Sequence, residues 1–196
     1  KKRELTINFE IKLWKEAEKI GYPLFLRSGQ TSNKHDWKDS CFVENSTQLV
    51  EHFHNISLFS QMCDFIGLPI NIWVLRKIIE TKPEFYFFNG MPITTEYRFF
   101  FKDNKYQCLH PYWPKEAFKN CKNIDKKLAK VYDIPKIEVL FLIQNTNKIA
   151  EYFNGYWSID YLRAKNGDWY ATDMAIGEHS YHYPNCDKQL EQTNEL

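Results

Sequence analysis

The sequence predicts a mixed α+β fold that is divided into two lobes, and three observations lead to this prediction. Stretches with helical periodicity alternate with short aromatic or β-branched stretches, and turn residues join some of the latter in pairs. A content of 43% hydrophobic and 17% aromatic residues is enough to build a packed core. Residues 80–83 separate the helices and strands before them from the hairpins after them, so we place a hinge there.

The smaller predicted lobe spans residues 1–80. Its first helix shows apolar residues on one face and is ended by Gly21 and Pro23, and Ser46 is a suitable cap for the second helix. The predicted elements are, in order, a helix over 8–20, a strand over 24–27, a polar loop over 28–36, a strand over 41–44, a helix over 46–56 and a central strand over 70–79.

The larger predicted lobe spans residues 81–186 and is followed by a polar tail at 187–196. Its clearest local signals are two turns, at residues 102–105 and at Asn166-Gly167, since Asn-Gly is typical of a two-residue hairpin loop. The predicted elements are strands over 93–101 and 106–110, a helix that begins at Pro114, a helix over 135–153, and strands over 157–164 and 169–174.

Composition excludes several classes of partner. The net charge of +1 argues against nucleic-acid binding by bulk electrostatics, and no apolar run approaches the roughly 20 residues of a membrane span, so neither partner is expected. The five cysteines are scattered without the spacing of a zinc knuckle, which favours reduced thiols in a cytoplasmic protein over a disulfide or metal framework. His110, His179 and His182 lie near aromatic segments. His179 and His182, three residues apart, raise the option of a metal site, but we expect structural hydrogen bonding instead.

Two aspartates are predicted to face each other across the second hairpin. If Asn166 and Gly167 form a two-residue turn, counting back along the ladder places Asp160 opposite Asp173. Two such carboxylates repel unless a cation lies between them, and Mg²⁺ is commonly held by one or two carboxylates together with phosphate oxygens. Glu178 offers a third carboxylate at the same end. The alternatives are that both aspartates face solvent, or that a bulge shifts the register by one residue.

A basic, hydroxyl-rich loop follows the first predicted strand. Small and hydroxylated residues over 27–35 would let backbone N–H groups approach an anion, and Lys34 adds a positive charge. The loop lacks the spaced glycines of a Walker motif, so an ordinary surface turn is the alternative.

Glu96 and Arg98 alternate with aromatic residues and therefore share one face of a predicted strand. Arg98 either pairs with Glu96 in an internal salt bridge or is directed at a phosphate, which an arginine can bind through two parallel hydrogen bonds. The sequence leaves both interpretations open.

Together these segments resemble the ATP-grasp superfamily, in particular its compact phage and bacterial proteins. Those proteins are distantly similar to the eukaryotic cell-division-cycle factor that assembles a translation-initiation complex. The resemblance extends over residues 23–184 and rests on the order and spacing of motifs. The segments that carry it are PLFLRSGQTSNKHDWKD at 23–39, WVLRKII at 73–79, NGMPITTEYRFF at 89–100, WSID at 157–160 and DMAIGE at 173–178.

The resemblance implies an ATP-grasp fold, with two α+β lobes and an ATP-binding cleft between them, and it implies ATP and Mg²⁺ as ligands. Arg98 would steady the γ-phosphate during catalysis. Many members carry an Asn two residues after the second acid, where this chain has Ala175, so that either Glu178 substitutes or the second metal ion is weakly bound or absent. The implied ATP-binding residues are Arg27, Lys34, Arg76, Lys77, Ile79 and Glu96, and the metal-binding residues are Asp160, Asp173 and Glu178.

The function implied is that of an ATP-dependent ligase that joins a carboxylate to an amine through an acyl-phosphate. Both substrates are unidentified, and a peptide or protein is among the options. One alternative is an assembly module that binds ATP without turnover. Another is a nucleotidyltransferase in which Lys34 is the nucleophile.

Overall fold

The computed structural model describes residues 2–63, 71–184 and 186, and its fold is α+β, as predicted. The tail predicted at 187–196 lies outside the described residues. None of the helices that the structure describes is both long and apolar enough to cross a bilayer. The elements are α1 (Lys2–Ile20), β1 (Leu24–Ser28), β2 (Phe42–Val43), α2 (Leu49–Cys63), β3 (Trp73–Lys77), β4 (Phe85–Phe87), β5 (Met91–Ile93), β6 (Glu96–Lys102), β7 (Lys105–Pro111), α3 (Ile124–Val131), α4 (Lys136–Ala150), β8 (Tyr156–Arg163) and β9 (Trp169–Ile176), with 3₁₀ turns at Lys34–Asp39, Lys115–Ala117 and Gly177–His179.

The chain forms two compact units. The first comprises Lys1–Glu80 and Tyr86–Pro92, and the second comprises Thr81–Phe85 and Ile93–Leu196. The short hairpin of β4 and β5, which the sequence pattern did not predict, therefore contributes residues to both units.

The first unit contains an antiparallel sheet in the order β2-β1-β3. Alternate residues of β1 are buried, because one face of the sheet packs against α1 and α2. The prediction of a central strand at 70–79 is wrong for the described part, 71–79: β1 is central, and β3 lies at an edge of the described sheet with Val74 37% exposed. The core residues are Leu13, Ala17, Leu24, Leu26, Val43, Leu49, Phe53 and Ile56.

The second unit is built on a four-stranded antiparallel sheet in the order β7-β6-β8-β9. Because side chains alternate along a strand, β6 and β8 present different residues to the two faces of the sheet. One face carries a hydrophobic cluster that includes Leu142 and Ala150 of α4. The sheet residues of that cluster are Tyr97, Phe99, Phe101, Ile159 and Tyr161. The residues at the intervening positions, on the other face, are Glu96, Arg98, Phe100, Ser158 and Asp160.

The hairpin predicted around residues 102–105 is confirmed. Asp103 and Asn104 form its loop with φ values of 47° and 68°, the left-handed backbone that a two-residue hairpin loop requires. The helix predicted to begin at Pro114 is a single 3₁₀ turn, Lys115–Ala117.

The second hairpin contains the predicted pair of aspartates, but its loop length and the register near the loop differ from the prediction. Its loop has three residues rather than two. The N–H of Ala164 donates to the main-chain carbonyl oxygen of Asp168, which closes the loop over residues 165–167, and Gly167 adopts a φ of 92°. The ladder near the loop is therefore one residue out of the predicted register. A bulge at Thr172 of β9 then restores it, so that Asp160 is opposite Asp173.

Candidate functional site

Four chemically active side chains occupy one row across the second unit's sheet. Arg98 on β6 is paired with His110 on β7 and with Asp160 on β8, and Asp160 is paired with Asp173 on β9. Residues that are directly opposite each other in an antiparallel ladder project from the same face. The row lies on the face opposite the cluster that includes α4, and it places an imidazole, a guanidinium and two carboxylates side by side.

Arg98 and Asp160 form a bidentate ion pair. Nε of Arg98 donates to Oδ1 of Asp160 over 2.7 Å, and Nη2 donates to Oδ2 over 2.9 Å. The sequence had offered Glu96 as the internal partner of Arg98, because both share a face of β6. The hydrogen-bonded partner comes instead from the neighbouring strand, where the facing position brings two planar groups together in parallel.

The surroundings hold Arg98 in its charged form. Burial alone would lower the pKa of Arg98, but the hydrogen bonds and the charge of Asp160, with contributions from Tyr112 and Glu96, raise this pKa above its usual value. The guanidinium lies 4.8 Å from the ring centre of Tyr112, and its Nη1 is 3.5 Å from the carbonyl oxygen of Tyr181. A cation so fixed is suited to binding an anionic group that approaches this face.

The acids of the row differ in exposure. Asp160 is only 4% exposed, whereas Asp173 is exposed and accepts a hydrogen bond from the N–H of Met174 over 3.0 Å. Glu178 is exposed and belongs to the 3₁₀ turn that follows β9. In the part of the chain that the structure describes, the one cluster of three or more side chains able to hold a metal ion does not include these acids.

The carboxylates of Asp160 and Asp173 nevertheless suit Mg²⁺. Carboxylate oxygens are the ligands that this ion prefers, and it usually takes only one or two from the protein. A carboxylate has about four acceptor positions. Arg98 uses two of these positions on Asp160, so this carboxylate keeps acceptor capacity for a metal ion.

In the first unit, the two arginines that are predicted to bind ATP lie on neighbouring strands. Arg27 belongs to β1 and Arg76 to β3, and the guanidinium of Arg76 lies 4.6 Å from the ring centre of Phe25. Phe25 and Arg27 alternate with the buried residues of β1 and so face away from α1 and α2. This face of the sheet combines aromatic surface with positive charge.

The remaining predicted residues of this unit are Lys34, Lys77 and Ile79. Lys34 begins a 3₁₀ turn, Lys77 ends β3 with its side chain exposed, and Ile79 follows β3 outside any strand.

Several N–H groups of the hydroxyl-rich loop bond to side chains of the same loop. The N–H groups of Gln30 and Thr31 donate to Oγ of Ser28, and that of Asn33 donates to Oγ1 of Thr31. Ser28 is fully buried, and its hydroxyl also bonds to that of Ser60. This pattern is typical of a self-contained turn, so these three N–H groups are not available to an anion.

One cluster was missed at the sequence level. Cys108 and His110 of β7 lie together with His182 and Cys186, with ligand atoms all within 4.8 Å of one another. The available signal was the Cys-x-His spacing, since residues two apart on a strand share a face.

Comparisons with known proteins bear on the fold. No protein-family model matches the sequence, and no curated protein matches it either. Among solved structures, it is similar to the biotin carboxylase domain of the Hydrogenobacter thermophilus 2-oxoglutarate carboxylase, in complex with MgADP, ADP and bicarbonate, with a TM-score of 0.52 and 11% identity. That match covers 83% of this chain and 32% of the other.

Two further similar structures have lower scores. A RimK domain ATP-grasp protein from Sphaerobacter thermophilus has a TM-score of 0.45 and 11% identity over 85% of this chain and 48% of its own. The carboxyaminoimidazole ribonucleotide synthase of Aspergillus clavatus, complexed with ATP, has a TM-score of 0.48 and 11% identity over 85% and 37%. This chain spans about a third to a half of the length of these structures. The likeness to the biotin carboxylase domain, the one of the three with a TM-score above 0.5, shows that the two share an α+β fold.

Proposed function

We propose that this chain binds ATP together with Mg²⁺ and acts as an ATP-dependent ligase that joins a carboxylate to an amine through an acyl-phosphate. The observation that carries the proposal is the row in which Arg98 is fixed by Asp160 and Asp160 is paired with Asp173. The fold likeness to a domain whose structure contains MgADP supports the same conclusion. The substrates are a carboxylate and an amine, either of which could be carried by a peptide or protein.

The residues of the row have distinct roles in this proposal. Asp173 and the remaining acceptor positions of Asp160 hold the metal ion, and Glu178 adds a carboxylate beyond the end of β9. Arg98 binds and orients the γ-phosphate, and Asp160 keeps the guanidinium in place before the reaction. Such preorganised charge costs no reorganisation when the substrate reacts, which is why positioning contributes most of the catalysis in phosphoryl transfer. Bound Mg·ATP supplies the transferable phosphoryl group.

The first unit supplies the other contacts with ATP. The side chains of Arg27, Lys34 and Arg76 bind the phosphates, and the backbone from Arg76 to Ile79 binds the adenine. Glu96, buried beside Arg98 on β6, completes the nucleotide-binding set. We place the protein in the cytoplasm, where ATP is abundant and where its five cysteines, none of which forms a disulfide, would stay reduced.

A non-catalytic module that binds ATP and assembles a partner complex is the second candidate. It is favoured by the small number of acids on β9. Two residues after Asp173 comes Ala175, paired with Ser158, so that this position offers no side-chain ligand for a second metal ion. A single ion is enough to bind ATP.

Calorimetric titration of the full chain with ATP, with and without Mg²⁺, tests the binding step. We expect binding that requires Mg²⁺. Release of ADP and phosphate in the presence of candidate carboxylates and amines then separates the two candidates, because an assembly module would bind ATP without turnover. Absence of nucleotide binding to a folded chain would contradict both.

A further inference from the structure

We propose that Cys108, His110, His182 and Cys186 bind a Zn²⁺ ion that fastens the segment after β9 to the edge strand β7. The four side chains offer one ligand atom each, and these atoms all lie within 4.8 Å of one another. Two cysteines and two histidines are the ligand set of many structural zinc sites. This site is separate from the acids proposed to hold Mg²⁺, and its ligands are sulfur and nitrogen rather than oxygen.

The spacing of the ligand atoms is close to that of a metal-centred tetrahedron. With usual zinc–sulfur and zinc–nitrogen bonds, the edges of such a tetrahedron measure about 3.3–3.8 Å. Sγ of Cys108 lies 3.2 Å from Nε2 of His182, and no separation in the cluster exceeds 4.8 Å. Side-chain rotations that close the widest gap by about 1 Å would complete the coordination shell.

Both histidines have a nitrogen that a metal ion would satisfy. Nδ1 of His182 lies 3.2 Å from the carbonyl oxygen of Tyr183, and a proton on Nδ1 leaves the lone pair of Nε2 directed at Cys108. Nε2 of His110 is buried and has no hydrogen-bond partner among the described residues. Burying a polar atom without a partner costs free energy, and a bond to zinc would remove that cost.

The protein around the cluster also suits a closed metal site. Cys108 packs with Phe100 and Tyr156, and Cys186 packs against the same group. The ring of Phe100 lies 4.4 Å from that of His182. An apolar wall of this kind excludes water, and four protein ligands leave no open position, so we assign the ion a structural rather than a catalytic role.

The local backbone explains how distant residues come together. Cys108 and His110 are two residues apart on β7 and therefore share a face, while His182 and Cys186 are separated by three residues after β9. The N–H of Cys186 donates to the carbonyl oxygen of Tyr183 over 3.1 Å, a turn that directs Cys186 back toward the sheet. The site thus requires one sheet edge and one turn.

The metal would act on the row that contains Arg98. The same segment places the carbonyl oxygen of Tyr181 at 3.5 Å from Arg98, and Ser180 bonds to Ser158 over 2.6 Å. Fastening the segment at His182 and Cys186 would therefore hold its main chain beside the guanidinium.

Metal analysis of the purified full chain tests the proposal. Protein produced with zinc in the medium and purified without chelators should contain about one zinc per chain. Cobalt substituted for zinc should give the absorption of a tetrahedral site with thiolate ligands. Cys186→Ser should lose nearly all bound metal, whereas Cys121→Ser, which removes a similarly half-buried thiol outside the cluster, should keep it.

His182→Gln serves as a second variant if Cys186→Ser fails to fold, and circular dichroism checks the folding of each. The proposal would be overturned by folded wild-type protein without zinc, or by Cys186→Ser that retains zinc to the same extent as Cys121→Ser. A Cys108–Cys186 disulfide in non-reduced, metal-free protein, detected by mass spectrometry, would overturn it as well.

Discussion

Arg98 and Asp160 lie directly opposite each other on β6 and β8, and the two side chains are only 16% and 6% exposed. A buried pair of this kind is costly to break, because the remaining charge has no partner and little water. The same pair is the centre of the proposed nucleotide site. Substitutions at these positions will therefore change stability as well as activity, and the two effects must be measured separately.

Arg98→Ala and Asp160→Ala should each destabilise the fold by about 3–5 kcal/mol, because each leaves a buried charge without a partner. The double variant should cost less than the sum of the two, since it removes both charges. Urea denaturation gives the three free energies of unfolding. The matched control is Arg163 with Glu138, a 2.7 Å pair with 35% and 22% exposed side chains, for which smaller losses are expected. Equal losses for both pairs would contradict the special position of Arg98.

Asp173→Asn should weaken the binding of Mg·ATP by about tenfold or more, because it removes a charged metal ligand. Its effect on unfolding should be small, since the side chain is exposed. Calorimetric titration measures the affinity, and thermal unfolding checks the fold. Asp168→Asn, an exposed aspartate beside the hairpin loop, is the control and should bind normally. An unchanged affinity in Asp173→Asn would remove Asp173 from the metal site.

Gly177→Ala should destabilise the fold by about 1–3 kcal/mol through overpacking. A methyl group at this buried position would overlap the ring of Tyr156, which is itself only 7% exposed. In a Tyr156→Leu background, adding Gly177→Ala should cost clearly less, because the smaller side chain frees space. Chemical denaturation of the four proteins provides this comparison. Equal costs in both backgrounds would show that the ring is not the obstacle.

Stability should fall as the pH rises from about 10 to 12, in part because of Tyr97. Burial, with smaller contributions from the charges of Asp133 and Tyr183, raises the pKa of Tyr97 to about 12. The hydroxyl of Tyr97 donates to the carbonyl oxygen of Tyr132 over 2.6 Å. The unfolded chain therefore loses this proton at lower pH than the folded chain, which disfavours folding by about 2 kcal/mol at pH 12.

Tyr97→Phe should make the alkaline part of the stability curve less steep, and denaturation at several pH values measures the slope. Tyr86→Phe, at a side chain that is 65% exposed, is the control. A wild-type slope in Tyr97→Phe would show that other groups account for the alkaline loss.

Features that depend on neighbouring residues could be predicted from the sequence, whereas contacts between distant segments could not. Turns such as Asp103-Asn104 depend on residues that tolerate left-handed backbone, so both hairpins were predictable from short segments. The partner of Arg98 was not predictable in the same way. Glu96 is near in sequence, but Asp160 is near in space, and only strand pairing decides between them.

The pairing of Asp160 with Asp173 was predicted correctly, but from an incorrect loop length. The predicted two-residue loop is in fact three residues long, and the bulge at Thr172 compensates for the difference. Each deviation shifts the register by one residue in the opposite sense, so the predicted pair is present although the loop length was wrong and a bulge was only an alternative. A bulge depends on packing across the whole sheet, which no local pattern reports.

The sequence by itself determined the α+β class, both hairpins of the larger sheet and the alternation that puts Glu96 and Arg98 on one face of a strand, because these follow from local backbone preference and a period of two. Only the tertiary structure decided which strand lies at the edge of the first sheet, that Asp160 fixes Arg98, and that Cys108 and His110 meet His182 and Cys186. Those contacts join segments that are distant along the chain, and the free energy that selects them comes from the burial and pairing of whole elements.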